Sequence, residues 1–127
     1  MKQILNLKIN SEKRYKKFID DVIENKIVWG LKLKNEDGWA VAISNEYEDT
    51  EVMTFWSNQI YAKACLKEEW DNYEICSITL DDFLNHWLTG LNEDELLVGV
   101  NWDMNLIGLE VEPLDLLDDI IKLKISN

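Results

Sequence analysis

The side chains in this sequence that could do chemistry are few and far apart. His86 is the one histidine, and Cys65 and Cys76 are the only thiols, in a chain of 127 residues. A zinc site draws about four such ligands from short spacings such as C-x-x-C or H-x-x-x-H, and neither spacing occurs. Ser57 stands where a strand passes into a helix, the position of a hydrolase nucleophile, but the glycines of G-x-S-x-G are missing around it. The residue suits a helix N-cap instead. Adjacent acids, Asp81-Asp82 and Asp118-Asp119, have the chemistry of an acid–base pair, yet at helix starts and on wet faces they read as solvated charge. The acids do not follow the calcium-loop pattern, and the five glycines are too scattered to cradle a phosphate. The expectation is therefore no catalytic residue, no metal and no cofactor, with both cysteines as buried thiols.

Charge carries more. The formal net charge is −12, and it is segregated. From Glu68 to Ile121 there are 15 acids and no lysine or arginine, whereas residues 1–67 carry 11 bases and 10 acids. Such a field repels nucleic acid and anionic membrane and steers a basic partner inward. Binding chemistry then needs anchors. Trp70 and Trp102 fall at element ends, where partly exposed indoles can hold a partner, with Glu93, Asp94, Glu95 and Asp103 as an acidic rim. The basic run Lys13, Arg14, Lys16 and Lys17 reads as a solvated helix face, with an anion site as the alternative. No apolar run approaches the roughly 20 residues of a membrane span, and the first residues return to charge too soon for a signal peptide. A cytoplasmic protein is expected.

The elements that must position these residues follow from periodicity. Ser11 suits an N-cap, and Tyr15, Phe18, Ile19, Val22 and Ile23 make one apolar stripe of a helix ending near Asn25. Trp29, Leu31 and Leu33 alternate with Gly30, Lys32 and Lys34. After the turn signal Asp37-Gly38 the alternation resumes through Trp39, Val41 and Ile43, which predicts an antiparallel hairpin over 28–43. Ala40 and Ala42 leave room for a helix on their face. A polar loop over 45–50 leads into the strand Val52 to Trp56. From Asn58 a helix is expected with Tyr61, Ala62, Cys65 and Leu66 on its apolar side. Tyr73 to Ile78 reads as a strand, and Thr79-Leu80-Asp81-Asp82 opens a helix with the stripe Phe83, Leu84, Trp87, Leu88 and Leu91.

Residues 96–100 are continuously apolar, the mark of a strand covered on both faces and central in the sheet. Asn101, Trp102 and Asp103 beyond its carboxyl end mark the expected cleft. A loop or short strand spans 106–111, and Pro113 opens a last helix carrying Leu114, Leu117, Ile120 and Ile121. Trp29, Trp39, Trp56 and Trp87 belong to the core, with Trp29 and Trp87 expected to be largely buried. The sum is one α+β domain over 1–127, in the order α-β-β-β-α-β-α-β-α. Its mixed sheet has about five strands, with two parallel β-α-β crossovers.

Several of these motifs together resemble a known family. Tyr15-Lys16-Lys17-Phe18, Val28-Trp29-Gly30-Leu31, Asp37-Gly38-Trp39-Ala40 and Phe55-Trp56 with Ala62 carry the first half of the likeness. Glu69-Trp70, Ile78 to Leu84 with Trp87-Leu88, and Val111-Glu112-Pro113-Leu114 carry the second. The pattern, over roughly residues 12–121, is similar to the small bacterial domain-of-unknown-function family 2750. Prolines of that pattern are absent at Ser57 and near Asn101-Trp102, which bears on local turns. The resemblance implies a one-domain bacterial protein and brings no catalytic residues. The function expected is a protein-binding module of immunity or antitoxin type, taking a basic protein such as a toxin domain on its acidic surface. The alternative is a housekeeping adaptor or a small-ligand binder using the cleft at Trp102.

Overall fold

Neither proline nor glycine interrupts residues 2–25, and in the computed structural model helix α1 runs unbroken through Lys2–Asn25. Residues 2–67 and 70–126 are described, so Glu68 and Glu69 of the acidic run lie outside the described residues. Ser11 is thus not the expected N-cap. It is buried within the helix, and its hydroxyl accepts a hydrogen bond from Arg14 Nη2 at 3.2 Å. Lys26, at φ 58°, closes the helix in a left-handed turn.

Six strands form one mixed sheet, one more than expected: β1 (Ile27–Leu33), β2 (Val41–Ile43), β3 (Glu51–Trp56), β4 (Tyr73–Thr79), β5 (Leu97–Val100) and β6 (Leu109–Val111). Their order is β4-β1-β3-β5-β6, with β2 also on β3. The middle position therefore belongs to β3, and β5 lies inside next to it, buried at all four residues. The hairpin differs from its expectation. Its turn forms, with a bridge between Lys32 and Trp39 and a 2.8 Å bond from the Ala40 N–H to Leu31 O. But β1 gives one edge to β4 along all seven residues and leaves β3 after Gly30. β2 takes the vacated edge of β3, pairing Val41 with Met53 and Ile43 with Glu51. The trigger is Trp39, whose indole lies so close over Gly30 that a Cβ there would come within 2.8 Å of it.

Helix α2 (Gln59–Ala64) follows β3. A helical run of α3 (Leu80–Asp82), a π-helical turn (Phe83–Trp87) and α4 (Leu88–Glu93) follows β4, and α5 (Pro113–Ser126) ends the chain. β3, β4 and β5 share one direction, but only β3 and β5 are neighbours. Both expected crossovers thus return in the parallel sense, skipping over β1, or over β1 and β3, instead of landing alongside.

Strand alternation divides the core. Val28, Phe55, Val98 and Val100 face α1, the helical run and α5, and meet Phe18, Val22, Phe83, Leu88, Leu116 and Ile120. In α5 the fully buried positions are Leu116 and Ile120, and Leu114 is exposed, because the stripe runs through 113, 116 and 120. On the other face Leu31, Ala40 and Trp56 pack with Ala62, Cys65 and Trp70. The two alanines thus leave the room expected of them. α2 is only six residues long, so it covers Trp29 incompletely and leaves that indole half-buried. Trp87 is also half-buried, set edge-on against Trp39 at 4.6 Å and Phe55 at 5.8 Å between ring centres.

Candidate functional site

The parallel strands β3 and β5 end on the same side of the sheet, at Trp56 and Val100. From there β3 leads through α2 towards the β4 edge, while β5 leads through residues 101–108 towards β6. Chains that part in opposite directions open a crevice beyond the strand ends, where open α/β sheets bind ligands. A cleft of about 340 Å³ lies there, lined by Arg14, Lys17, Tyr61, Ala64, Asn101, Trp102, Asp103 and Met104. The sequence marked Asn101, Trp102 and Asp103 for this cleft; α1 supplies Arg14 and Lys17, α2 supplies Tyr61 and Ala64, and Met104 follows Asp103 in the loop.

Asn101 is the joint of the cleft. It is buried at φ 47°, a conformation asparagine tolerates better than most residues. Its side-chain Oδ1 accepts from the Ser57 N–H at 2.9 Å, and Nδ2 donates to Ser57 Oγ at 3.0 Å and to Arg14 O at 3.3 Å. Arg14 answers from α1, donating through Nε to Asn101 O at 3.0 Å and through Nη2 to Ile107 O at 2.9 Å. Ser57 is therefore a buried link between strand ends and not the helix cap. The cap is Asn58, whose side chain accepts from the Ile60 N–H at 2.8 Å. The Ser57 hydroxyl donates to Asp21 Oδ2 at 2.9 Å, and Asp21 pairs with Lys17 at 3.3 Å. His86 sits elsewhere, exposed on the π-helical turn and 3.2 Å from Asp82, so the imidazole does not face Ser57.

The two indoles expected as partly exposed anchors are both buried. Trp102 is 2% exposed: its Nε1 donates to Leu109 O at 3.0 Å, and its own carbonyl accepts from Trp56 Nε1 at 2.9 Å. It fits because its neighbours lack side chains, since a Cβ on Gly99 or Gly108 would lie 2.6 or 2.3 Å from the indole. Trp70, 3% exposed, packs edge-on against Trp56 at 6.3 Å. Cys65 completes this layer, and burial, with Asp103 nearby, pushes its thiol up to about 11. Cys76 is only half-buried.

The acidic residues divide between two places. Asp103 lines the cleft, where its Oδ1 accepts from the backbone N–H groups of Asn105 and Ile107. Glu93, Asp94 and Glu95 are exposed at the end of α4. Asp94 edges an apolar groove of about 260 Å³ formed with Met53, His86, Trp87, Gly90, Leu91 and Leu96. A polar depression of about 450 Å³ adjoins it through Leu96, lined by Tyr47, Thr50, Asn92, Glu95, Leu97 and Glu112. Neither is lined by lysine or arginine. Sequence reasoning missed this groove because its lining comes together from stretches far apart in the chain, Met53 of β3 meeting the helical run and Leu96. Among the described residues no three His, Cys, Asp or Glu side chains converge as a metal site, and no helix is long and apolar enough to cross a membrane.

These features define a small α+β domain with helices on both faces of a mixed six-stranded sheet. The chain belongs to the family described as protein of unknown function (DUF2750), whose model matches residues 15–120. No curated protein and no solved structure matches it significantly.

Proposed function

We propose that this protein is a protein-binding module of immunity or antitoxin type that takes a basic partner on the surface built by residues 80–97. The observation that carries the reading is the apolar groove at Trp87, Met53 and Leu96, edged by Asp94 with Glu95 and Glu112 next to it and no lysine or arginine in its lining. An apolar floor with a charged rim is the anatomy of a specific interface: the floor takes an anchoring side chain, and the rim selects charge and speeds encounter. The anchor pocket thus replaces Trp70 and Trp102, which serve the core. In its toxin-neutralising form the partner offers lysines or arginines around its own active cleft, and the acidic face covers them.

A photo-crosslinking residue at Asn92, exposed beside the groove, tests this against the same residue at Ser77 on the far β4 edge. The expected outcome is one cross-linked protein rich in lysine and arginine from position 92 and none from 77. The same products from both positions, or an acidic partner at 92, would count against it.

A further inference from the structure

The cleft beyond β3 and β5 is chemically unlike the groove and shares no lining residue with it. We infer that it binds a small organic anion with a flat apolar body, the apolar part between Tyr61, Ala64, Trp102 and Met104 and the charge beside Arg14 and Lys17. Three observations converge.

The first is the state of Arg14. A solvated helix face holds its cations out in water, whereas this guanidinium is half-buried and fixed by three uncharged oxygens, of Asn101, Ile107 and Ser11. Among the described residues no carboxylate lies within ion-pair distance of it, so its charge is offset by dipoles alone. No acceptor is found there for Nη1 either. A partly desolvated guanidinium in a concave site favours an anion more than a surface lysine does.

The second is the occupation of the nearby acids. Asp103 also lines the cleft, but its Oδ1 is held by two backbone N–H groups. Asp21 accepts from Ser57 and pairs with Lys17. Each acid has donors of its own, and neither forms an ion pair with Arg14.

The third is shape and place. The cleft holds about 340 Å³, near the lower end of the roughly 300–1,000 Å³ of small-molecule sites. It lies where the two parallel strands send their chains in opposite directions, and the rigid Ser57–Asn101 linkage holds its floor. A protein with net charge −12 repels anions at long range. A site that sets Arg14 and Lys17 beside apolar surface therefore selects for contact chemistry over steering.

The test is an amide NMR titration of the full chain with 1-naphthoate, its neutral counterpart 1-naphthamide, and inorganic phosphate. Naphthoate should shift the amides of residues 14–18, 61–64 and 101–104, with the amide and phosphate each at least about tenfold weaker, since one lacks the charge and the other the apolar body. Lys17→Gln should weaken naphthoate about two- to fivefold, as a half-exposed ion pair would. Ala64→Phe, at an exposed position of α2, should fill the cleft and abolish the shifts while leaving the rest of the spectrum in place. Equal binding of the neutral amide, phosphate as tight as naphthoate, shifts centred on Trp87 and Leu96, or no shift at millimolar naphthoate would each overturn the inference. The partner surface has its own, separate test.

Discussion

Asn101 and Thr54 show how differently two buried polar side chains can be used. Asn101→Ala removes three hydrogen bonds at once and puts alanine at φ 47°. Urea unfolding should show a loss of about 2–4 kcal/mol. Thr54, 1% exposed, has a hydroxyl with no partner among the described residues. Thr54→Val should accordingly be neutral or stabilise by up to about 1 kcal/mol, and a loss as large as that of Asn101→Ala would mean the hydroxyl is satisfied after all. The Cys65 thiol adds a pH signature. Its folded value, near 11, lies above the roughly 8.5–9 of a free thiol. The protonated form is therefore the one the fold favours. This contribution is complete below about pH 8.5 and disappears as pH rises towards 11. At pH 8 a thiol reagent should label half-buried Cys76 quickly and Cys65 only at the rate of unfolding, which mass spectrometry can separate. At this scale the sequence named the right cleft residues but misjudged their exposure. Trp102 reads as an element end, and only the glycines at 99 and 108, one on each side of it, hint that backbone approaches its ring.

At the scale of elements, the strands and helices were legible wherever one periodicity ran without competition. The strand over 51–56, the fully apolar β5 and the Thr79 cap, whose hydroxyl accepts from the Asp82 N–H at 3.1 Å, all stand as their patterns imply. What local pattern could not carry was pairing. Nothing in Val41-Ala42-Ile43 says that its partner is β3 and not β1, because that choice follows from Trp39 settling over Gly30 and from β4 holding the other edge of β1. The helix cap fell on Asn58 because the Ser57 hydroxyl had stronger partners across the sheet. Hydrogen exchange follows from the observed order. Amides of β3 and β5, interior and covered on both faces, should exchange only near global unfolding, and those of β2 and the β4 edge earlier. Exchange at 97–100 as fast as at 41–43 would contradict this topology.

For the whole molecule, the feature read most directly from the sequence is the segregation of charge, and the fold gives it a location. Residues 68–121 lack lysine and arginine, and the groove and depression they help to line contain neither. Arg14 and Lys17 line the separate cleft at the strand ends, and Lys32 lines a further depression with Glu36, Asp37 and Glu74. Position was hidden from the sequence, because Asp94, Glu95 and Glu112 come near one another only through folding. The central claim is that the acidic surface steers a basic partner into the groove at Trp87, and the most direct measurement is the association rate of the partner captured at Asn92 as salt varies. Between about 0.05 and 0.5 M salt the on-rate should fall at least about tenfold while the off-rate changes less than about threefold, because screening removes long-range steering first. Asp94→Lys with Glu95→Lys should reproduce much of that fall at low salt. An on-rate indifferent to both salt and charge reversal would contradict the account.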